Sequence, residues 1–471
     1  MTSVTGKHTL VLFLASASTF SSLGAQDAVE NESTVALREQ IQQLDQKLRI
    51  LERKQELREE ASENKTAPSL PSVSLDDKGL NISSADKAYS VKIWALVQAD
   101  ARFFLDDGAA NRDSFLLRRV RTPLTGTVAS IFDFNVTPEF STGTNTSTSA
   151  GLVDAFLAAR ITPWIGIKGG KFISPVVLNP GQDRYFLESA YPNTLAPNRD
   201  LGFEFFGAFG GGIINYRLGI YNGAPNNTQN FGGQSPGLSD GDFTGGGRLT
   251  LTPFKNTEGF FSDLSLGIGG SIGNERGDAS TRGLTNIVSN GQQTLLNWSS
   301  GNGLYADGQH IRLSPAIEWY TDSPLSFVTE FIWERQDLAN DAGFSRTVDN
   351  FGWRVNLGYV LTGETATRNG VNPDSPFDLG KGTWGAFEVV GRLSGLYLDN
   401  DIFDDPAGLN GTTNAKGAFA YGLGLNWYLN RNIRVLFNVE KTDYRGGGAP
   451  TGQTGVRDDE LYVFSRFQIV F

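Results

Sequence analysis

The chain ends in Leu461-Tyr462-Val463-Phe464-Ser465-Arg466-Phe467-Gln468-Ile469-Val470-Phe471, an alternating segment that closes on an aromatic residue. One parity (Val463, Phe467, Ile469, Phe471) is apolar, and the other carries Arg466 and Gln468. Successive side chains of a strand point to opposite faces, so such a segment has an oily side and a wet side. The pattern recurs. Over 351–359 one parity is aromatic or aliphatic and the other holds Arg354, Asn356 and Gly358. Ile433, Val435, Phe437 and Val439 interleave with Arg434, Asn438 and Glu440, and Ile311, Leu313, Ile317 and Trp319 with Arg312, Ser314 and Glu318. A strand needs this polarity when one face touches lipid and the other lines a water-filled lumen.

Counting these runs from residue 88 onward gives about sixteen, an even number that suits a closed bacterial barrel. Connections alternate between short ones, as at 129–130, 162–163, 210–211 and 430–432, and long ones, as at 141–150, 173–198, 222–242 and 399–415. Short turns on one side and long loops on the other are expected of a transmembrane barrel. The connection 362–382 breaks the alternation, being long where a short turn is due. The fold class expected is therefore all-β, a 16-stranded antiparallel transmembrane β-barrel preceded by a short coiled-coil helix.

Composition agrees. Glycine is abundant (56 of 471 residues), mean hydropathy is only -0.24, and no stretch of eighteen apolar residues exists to form a membrane-spanning helix. The absence of cysteine excludes disulfides and thiolate metal sites. A net charge of -11 argues against a nucleic-acid partner.

The N-terminal 87 residues differ. Lys7, an apolar core over 10–17 and small residues up to Ala25 read as a signal peptide over 1–25. Over 31–65, Leu37, Ile41, Leu44, Leu48 and Leu51 alternate spacings of four and three, the a/d seam of a coiled coil. The seam covers about two and a half heptads, too short for an isolated helix, and so points to self-association. An amphipathic helix packed on the barrel mouth is the alternative. Pro68 and Pro71 mark 66–87 as a stiff linker to a barrel over 88–471.

From residue 91 to the end the chain resembles the phosphate- and polyphosphate-selective porins of bacterial outer membranes. The resemblance is carried by Val97-Gln98-Ala99-Asp100, Phe115-Leu116-Leu117-Arg118-Arg119, Asp154-Ala155, Gly170-Lys171-Phe172, Arg199-Asp200-Leu201-Gly202, Leu361-Thr362-Gly363-Glu364, Gly385-Ala386-Phe387-Glu388, Gly424-Leu425-Asn426-Trp427-Tyr428 and the terminal phenylalanine. It implies a homotrimer in the outer membrane of a Gram-negative-type bacterium, with the third loop folded inward to narrow each pore. The coiled coil would then extend into the periplasm on the trimer axis. The partners it implies are outer-membrane lipid and lipopolysaccharide, small anionic solutes, and a periplasmic or peptidoglycan surface for the coil.

Residue chemistry names candidates for the filter. Fixed charges at the narrowest point decide which ion crosses, and the arginine fork suits phosphate. Arg118, Arg119 and Arg121 form the densest basic cluster of the barrel portion. Strict alternation puts Arg119 and Arg121 on one face and Arg118 with Leu116 and Val120, so a bulge turns Arg118 inward or it lies at the rim. The resemblance places the pair Arg118 and Arg119 at the anion constriction and Asp154 beside the bound anion. Rim arginines bonding turn carbonyls or lipid phosphates are the alternative. The third loop departs from strongly phosphate-preferring members: it runs Val176-Val177-Leu178-Asn179-Pro180-Gly181-Gln182-Asp183-Arg184-Tyr185, offering Arg184 but no nearby lysine. Lys416 is a further candidate cation.

The function expected is passive diffusion of small hydrophilic solutes, anions such as phosphate among them. The alternative is a general porin for sugars or cations that also tethers the outer membrane through its coil, since lumen acids nearly balance bases. An enzyme is not expected. His310 has no serine motif around it, and Glu330 and Glu334 sit roughly 13 Å apart along one strand face, too far to flank one bond. No cofactor is implied.

Overall fold

The computed structural model describes residues 29–63, 70–105, 113–141, 151–181, 183–227, 241–300, 303–403, 409, 414–446 and 459–471. The leader expected over 1–25 lies outside them. The chain divides into two units, 1–70 and 71–471.

Among the described residues the first unit holds one helix, Val29–Glu63. Its sequence contains neither glycine nor proline and is rich in Glu, Gln, Lys, Arg and Leu, all good helix formers. Ion pairs Asp45–Arg49 (3.1 Å) and Arg53–Glu56 (3.0 Å) join successive turns of its surface. The seam residues Leu37, Ile41, Leu44, Leu48 and Leu51 are all more than half exposed.

The second unit is a closed antiparallel barrel of sixteen strands. In chain order they are Leu96–Phe104, Ser114–Arg121, Phe132–Glu139, Gly151–Thr162, Ile165–Ile173, Arg199–Phe209, Ile214–Tyr221, Thr244–Leu251, Ser265–Arg276, Tyr305–Tyr320, Leu325–Ala339, Ser345–Val360, Ala386–Tyr397, Ala415–Tyr428, Ile433–Gly446 and Asp459–Val470. Each pairs with its chain neighbour, and the last closes on the first from Tyr462↔Phe104 to Val470↔Leu96. The first two strands are each interrupted and continue as Ser90–Ile93 and Leu124–Val128, which pair with one another. Pro123 lies in one interruption, where a residue without an N–H cannot donate to a ladder.

The stretch expected as an extended linker is partly folded. A hairpin of Ser72–Asp76 and Gly79–Ser83 lies within it, and its second strand pairs with Ser90–Ile93. Leu80 and Ile82 give its second strand an apolar parity too short to stand out beside the prolines.

The wall is inverted relative to a soluble sheet. Outward Leu157 and Phe203 are 70% and 69% exposed, whereas inward Glu204, Glu388 and Glu440 have no exposed surface. Aromatics gather outside at the short-turn end. Phe260 and Phe261 pack on Trp319 at 4.6 and 5.1 Å between centroids, and Phe387 stacks on Trp427 at 5.7 Å. Rings of this kind mark the lipid–water boundary of outer-membrane barrels.

An arginine at outward Phe203 should destabilise the folded barrel by about 2–4 kcal/mol, the cost of a charge at mid-bilayer depth. Urea titration of Phe203→Arg in lipid vesicles against the parent chain measures it.

Candidate functional site

The connection between Ile165–Ile173 and Arg199–Phe209 turns into the bore. Its residues Val176, Val177, Tyr185, Phe186, Leu187, Tyr191 and Leu195 are almost wholly buried, and a short 3-10 helix covers Tyr191–Leu195. Two acids fasten it to the wall. Asp183 meets Arg354 at 3.2 Å and Arg392 at 3.6 Å. Glu188 takes Arg118 through two bonds, 2.7 and 3.0 Å, and also pairs with Arg102. Main-chain groups add further ties. Arg466 donates to the Leu187 carbonyl (2.7 Å), Arg392 to that of Glu188 (2.7 Å), and the Leu187 amide donates to Asn438 (2.8 Å).

A second connection enters from the same end. Within 277–304 the strands Ile287–Val288 and Thr294–Leu296 form a small hairpin. At its tip Ser289 donates to Glu460 (3.0 Å) and Asn290 to Glu440 (2.7 Å). Ile287, Leu295, Leu296 and Trp298 pack with Leu195, Ile332, Leu338, Val348 and Leu396 into one apolar cluster. That part of the interior is a core rather than a conduit.

Most inward charges cancel pairwise. Arg466 grips Asp100 at 2.6 and 2.8 Å, Arg354 meets Glu330 at 3.1 Å, and Arg392 meets Glu440 at 2.7 Å. Arg217 and Lys168 share Glu204. Arg119 and Arg434 differ: among the described residues neither has a carboxylate within 4.0 Å. Strand register puts them in one row, Arg119↔Gln98, Gln98↔Gln468, Gln468↔Arg434 and Arg434↔Tyr428, across five adjacent strands. Arg119 donates to the Gln98 side-chain oxygen (2.9 Å), the Gln98 amide to Gln468 (2.7 Å), and Arg434 to the same Gln468 oxygen (3.1 Å). Arg119 also donates to the Gly181 carbonyl of the inward loop. Gly181 has φ +68°, a conformation that favours glycine at this contact. The Nε atoms of both arginines are buried without a partner.

Residues 91–471 match the family model described as phosphate-selective porin O and P. The chain belongs to this family. The porin is thus a channel of the bacterial outer membrane. Its fold is shared with OmpT of Vibrio cholerae (11% identity, TM-score 0.50, 82% of this chain and 100% of the other). It is also shared with the outer-membrane channel DcaP of Acinetobacter baumannii (11%, 0.51, 82% and 99%) and OprB of Pseudomonas putida (11%, 0.51, 82% and 95%). No curated protein matches the sequence.

The porin's sequence-derived candidates are placed as follows. Arg118, Arg119 and Arg121 all point into the bore and are at most 7% exposed. Arg118 is an extra residue in its strand, where the pairing jumps from Gln98↔Arg119 to Ala99↔Leu117, so a β-bulge turns it inward. Its charge is taken by Glu188, and that of Arg121 by Glu139 at 2.6 Å. Asp154 faces the lumen but pairs with Arg199 at 3.0 Å. Arg184 reaches Glu388 at 2.8 Å. Lys416 sits apart, with its Nζ 5.1 Å from the Phe403 ring centre. It is the second residue of the strand whose last residue, Tyr428, belongs to the arginine row, about 40 Å away by strand rise.

Sequence reasoning missed the glutamine relay and the acid Glu188. The only signal for the relay was the pairing of the first strand with the last. Beside the row lies a cavity of about 540 Å³ lined by Arg121, Arg199, Arg434, Asp154, Gln98 and Gln468. The out-of-pattern connection 361–385 reaches it. Its hairpin Ala366–Thr367 and Gly370–Val371 packs on Tyr428, and Arg368 meets Glu318 at 3.0 Å.

Replacing Glu188 by alanine leaves Arg118 buried without a carboxylate and Arg102 with Asp100 alone. Stability should fall by about 3–5 kcal/mol, and single-channel conductance should rise as the inward loop loses a tether. Denaturant midpoints and planar-bilayer currents read the two effects.

Proposed function

We propose that small anions cross this porin past the row formed by Arg119, Gln98, Gln468 and Arg434. The observation that carries this is the difference in charge balance. Most other lumen cations have an acid beside them, Lys171 and Arg248 excepted, whereas these two guanidiniums share one row and have only neutral oxygens. A paired arginine has little field left for a passing ion. An unpaired one, in a bore where water is partly excluded, attracts anions and repels cations. The relay also fixes the forks, so little side-chain freedom is lost when an anion arrives. Neutral relay oxygens compete only weakly for the guanidiniums, which suits a site an ion must also leave.

Arg119→Gln and Arg434→Gln should each lower the anion-to-cation permeability ratio severalfold, and together they should approach a non-selective pore. Reversal potentials in a salt gradient test this. Unchanged ratios in the double variant would remove the row from the filter.

We also propose that three copies assemble and that their helices join along the apolar seam. One of the similar structures, OmpT of Vibrio cholerae, is described as a trimer form. With Ile41 and Leu48 at a, and Leu37, Leu44 and Leu51 at d, Lys47 falls at g and Glu52 at e. In a parallel coil these opposite charges face each other between copies, and in register. Leu44→Asp should lower the temperature at which the trimer dissociates in detergent while barrel content by circular dichroism stays the same.

A further inference from the structure

We infer that the cavity at the short-turn mouth grips organic anions, with an apolar body behind the charged group, in preference to bare inorganic phosphate. This rests on the anion-conducting function proposed above and narrows its substrate class. The cavity of about 540 Å³ is the size of a small-molecule site. One side of it is cationic: Arg434 is unpaired among the described residues, and Arg121 and Arg199 each carry a single acid. The rest of the lining mixes neutral polar residues such as Asn135 and Thr137 with an apolar group, Leu96, Pro123, Val371, Tyr428 and Ile433. A route tuned only to hydrated inorganic ions gains nothing from such a wall.

Val371 has a particular origin. It is delivered by the hairpin 366–371, which is held against Tyr428 by an apolar contact that includes Val360 and Ala386. Gly370, at φ +118°, lets the hairpin approach. A Cβ there would lie 2.9 Å from the Tyr428 ring. The same tyrosine ends the arginine row through its pairing with Arg434. The apolar wall and the cationic row therefore meet at Tyr428, which register pairs with Arg434 and the hairpin packs against. An anion whose charge meets Arg434 places its remaining atoms against Val371 and Leu96.

Inorganic phosphate and phenyl phosphate separate charge from body, compared at a pH where both are dianions. Each is added from the short-turn side to the full-length porin in a planar bilayer, and block of chloride current is recorded. Phenyl phosphate should block at about tenfold lower concentration. Val371→Thr and Leu96→Gln should each shrink that advantage with the anion-to-cation permeability ratio unchanged. Equal blocking concentrations in the parent porin, with anion preference intact, would overturn this inference alone. Cation preference with no block by either compound would overturn both it and the proposed anion conduction.

Discussion

Burying a guanidinium without a partner costs several kcal/mol, and a carboxylate held beside it offsets that cost. The interior of this barrel is organised around that constraint. Its wall must present polar side chains inward because the outward parity is committed to lipid, so arginines on many strands end up in a confined space. The acids that compensate them come partly from neighbouring strands, as Asp100 does for Arg466, and partly from the inward loop. Asp183 and Glu188 thus do two things at once. They neutralise wall arginines on widely separated strands, and they fix the loop that narrows the bore.

The same constraint gives the exceptions their meaning. Where loop acids reach, the wall is electrically quiet and mechanically tied. The loop ends its acidic contacts short of Arg119, offering the Gly181 carbonyl instead. A carbonyl orients a guanidinium without cancelling its charge. Gln98 and Gln468 do the same from the wall, and Arg434 completes the row. If the proposed row is the filter, selectivity arises from where compensation is withheld rather than from the number of basic residues, and a lumen with almost balanced charge is compatible with anion preference.

The sequence displayed the barrel far better than the site. Period-two alternation survives in a single sequence because each outward residue faces lipid individually, so the strand at 461–471 and its counterparts were readable one at a time. The bulge at Arg118 was half legible: alternation exposed the conflict between Arg118 and Arg119, but only pairing against Gln98 and Ala99 resolves it. The row was not legible, since Arg119 and Arg434 are separated by more than three hundred positions and become neighbours only when the last strand closes on the first. Lys416 shows the converse. It shares a strand with Tyr428 and has inviting chemistry, yet strand rise alone puts it far from the row.

The long connection 361–385 illustrates what an irregularity in such a pattern signifies. A short turn suffices to reverse a strand at the inner rim, so extra chain there must be stabilised by something else. Here it is stabilised by burial of Ala366 and Val371 against Tyr428 and by the Arg368–Glu318 pair. Both contacts lie on strands that also serve the bore: Tyr428 through the arginine row and Glu318 through the inward parity of Tyr305–Tyr320. The chain added in this connection therefore packs where it also shapes the passage. The asymmetry between short turns and long loops, expected of a transmembrane barrel, thus fails here at a connection that meets the proposed solute path.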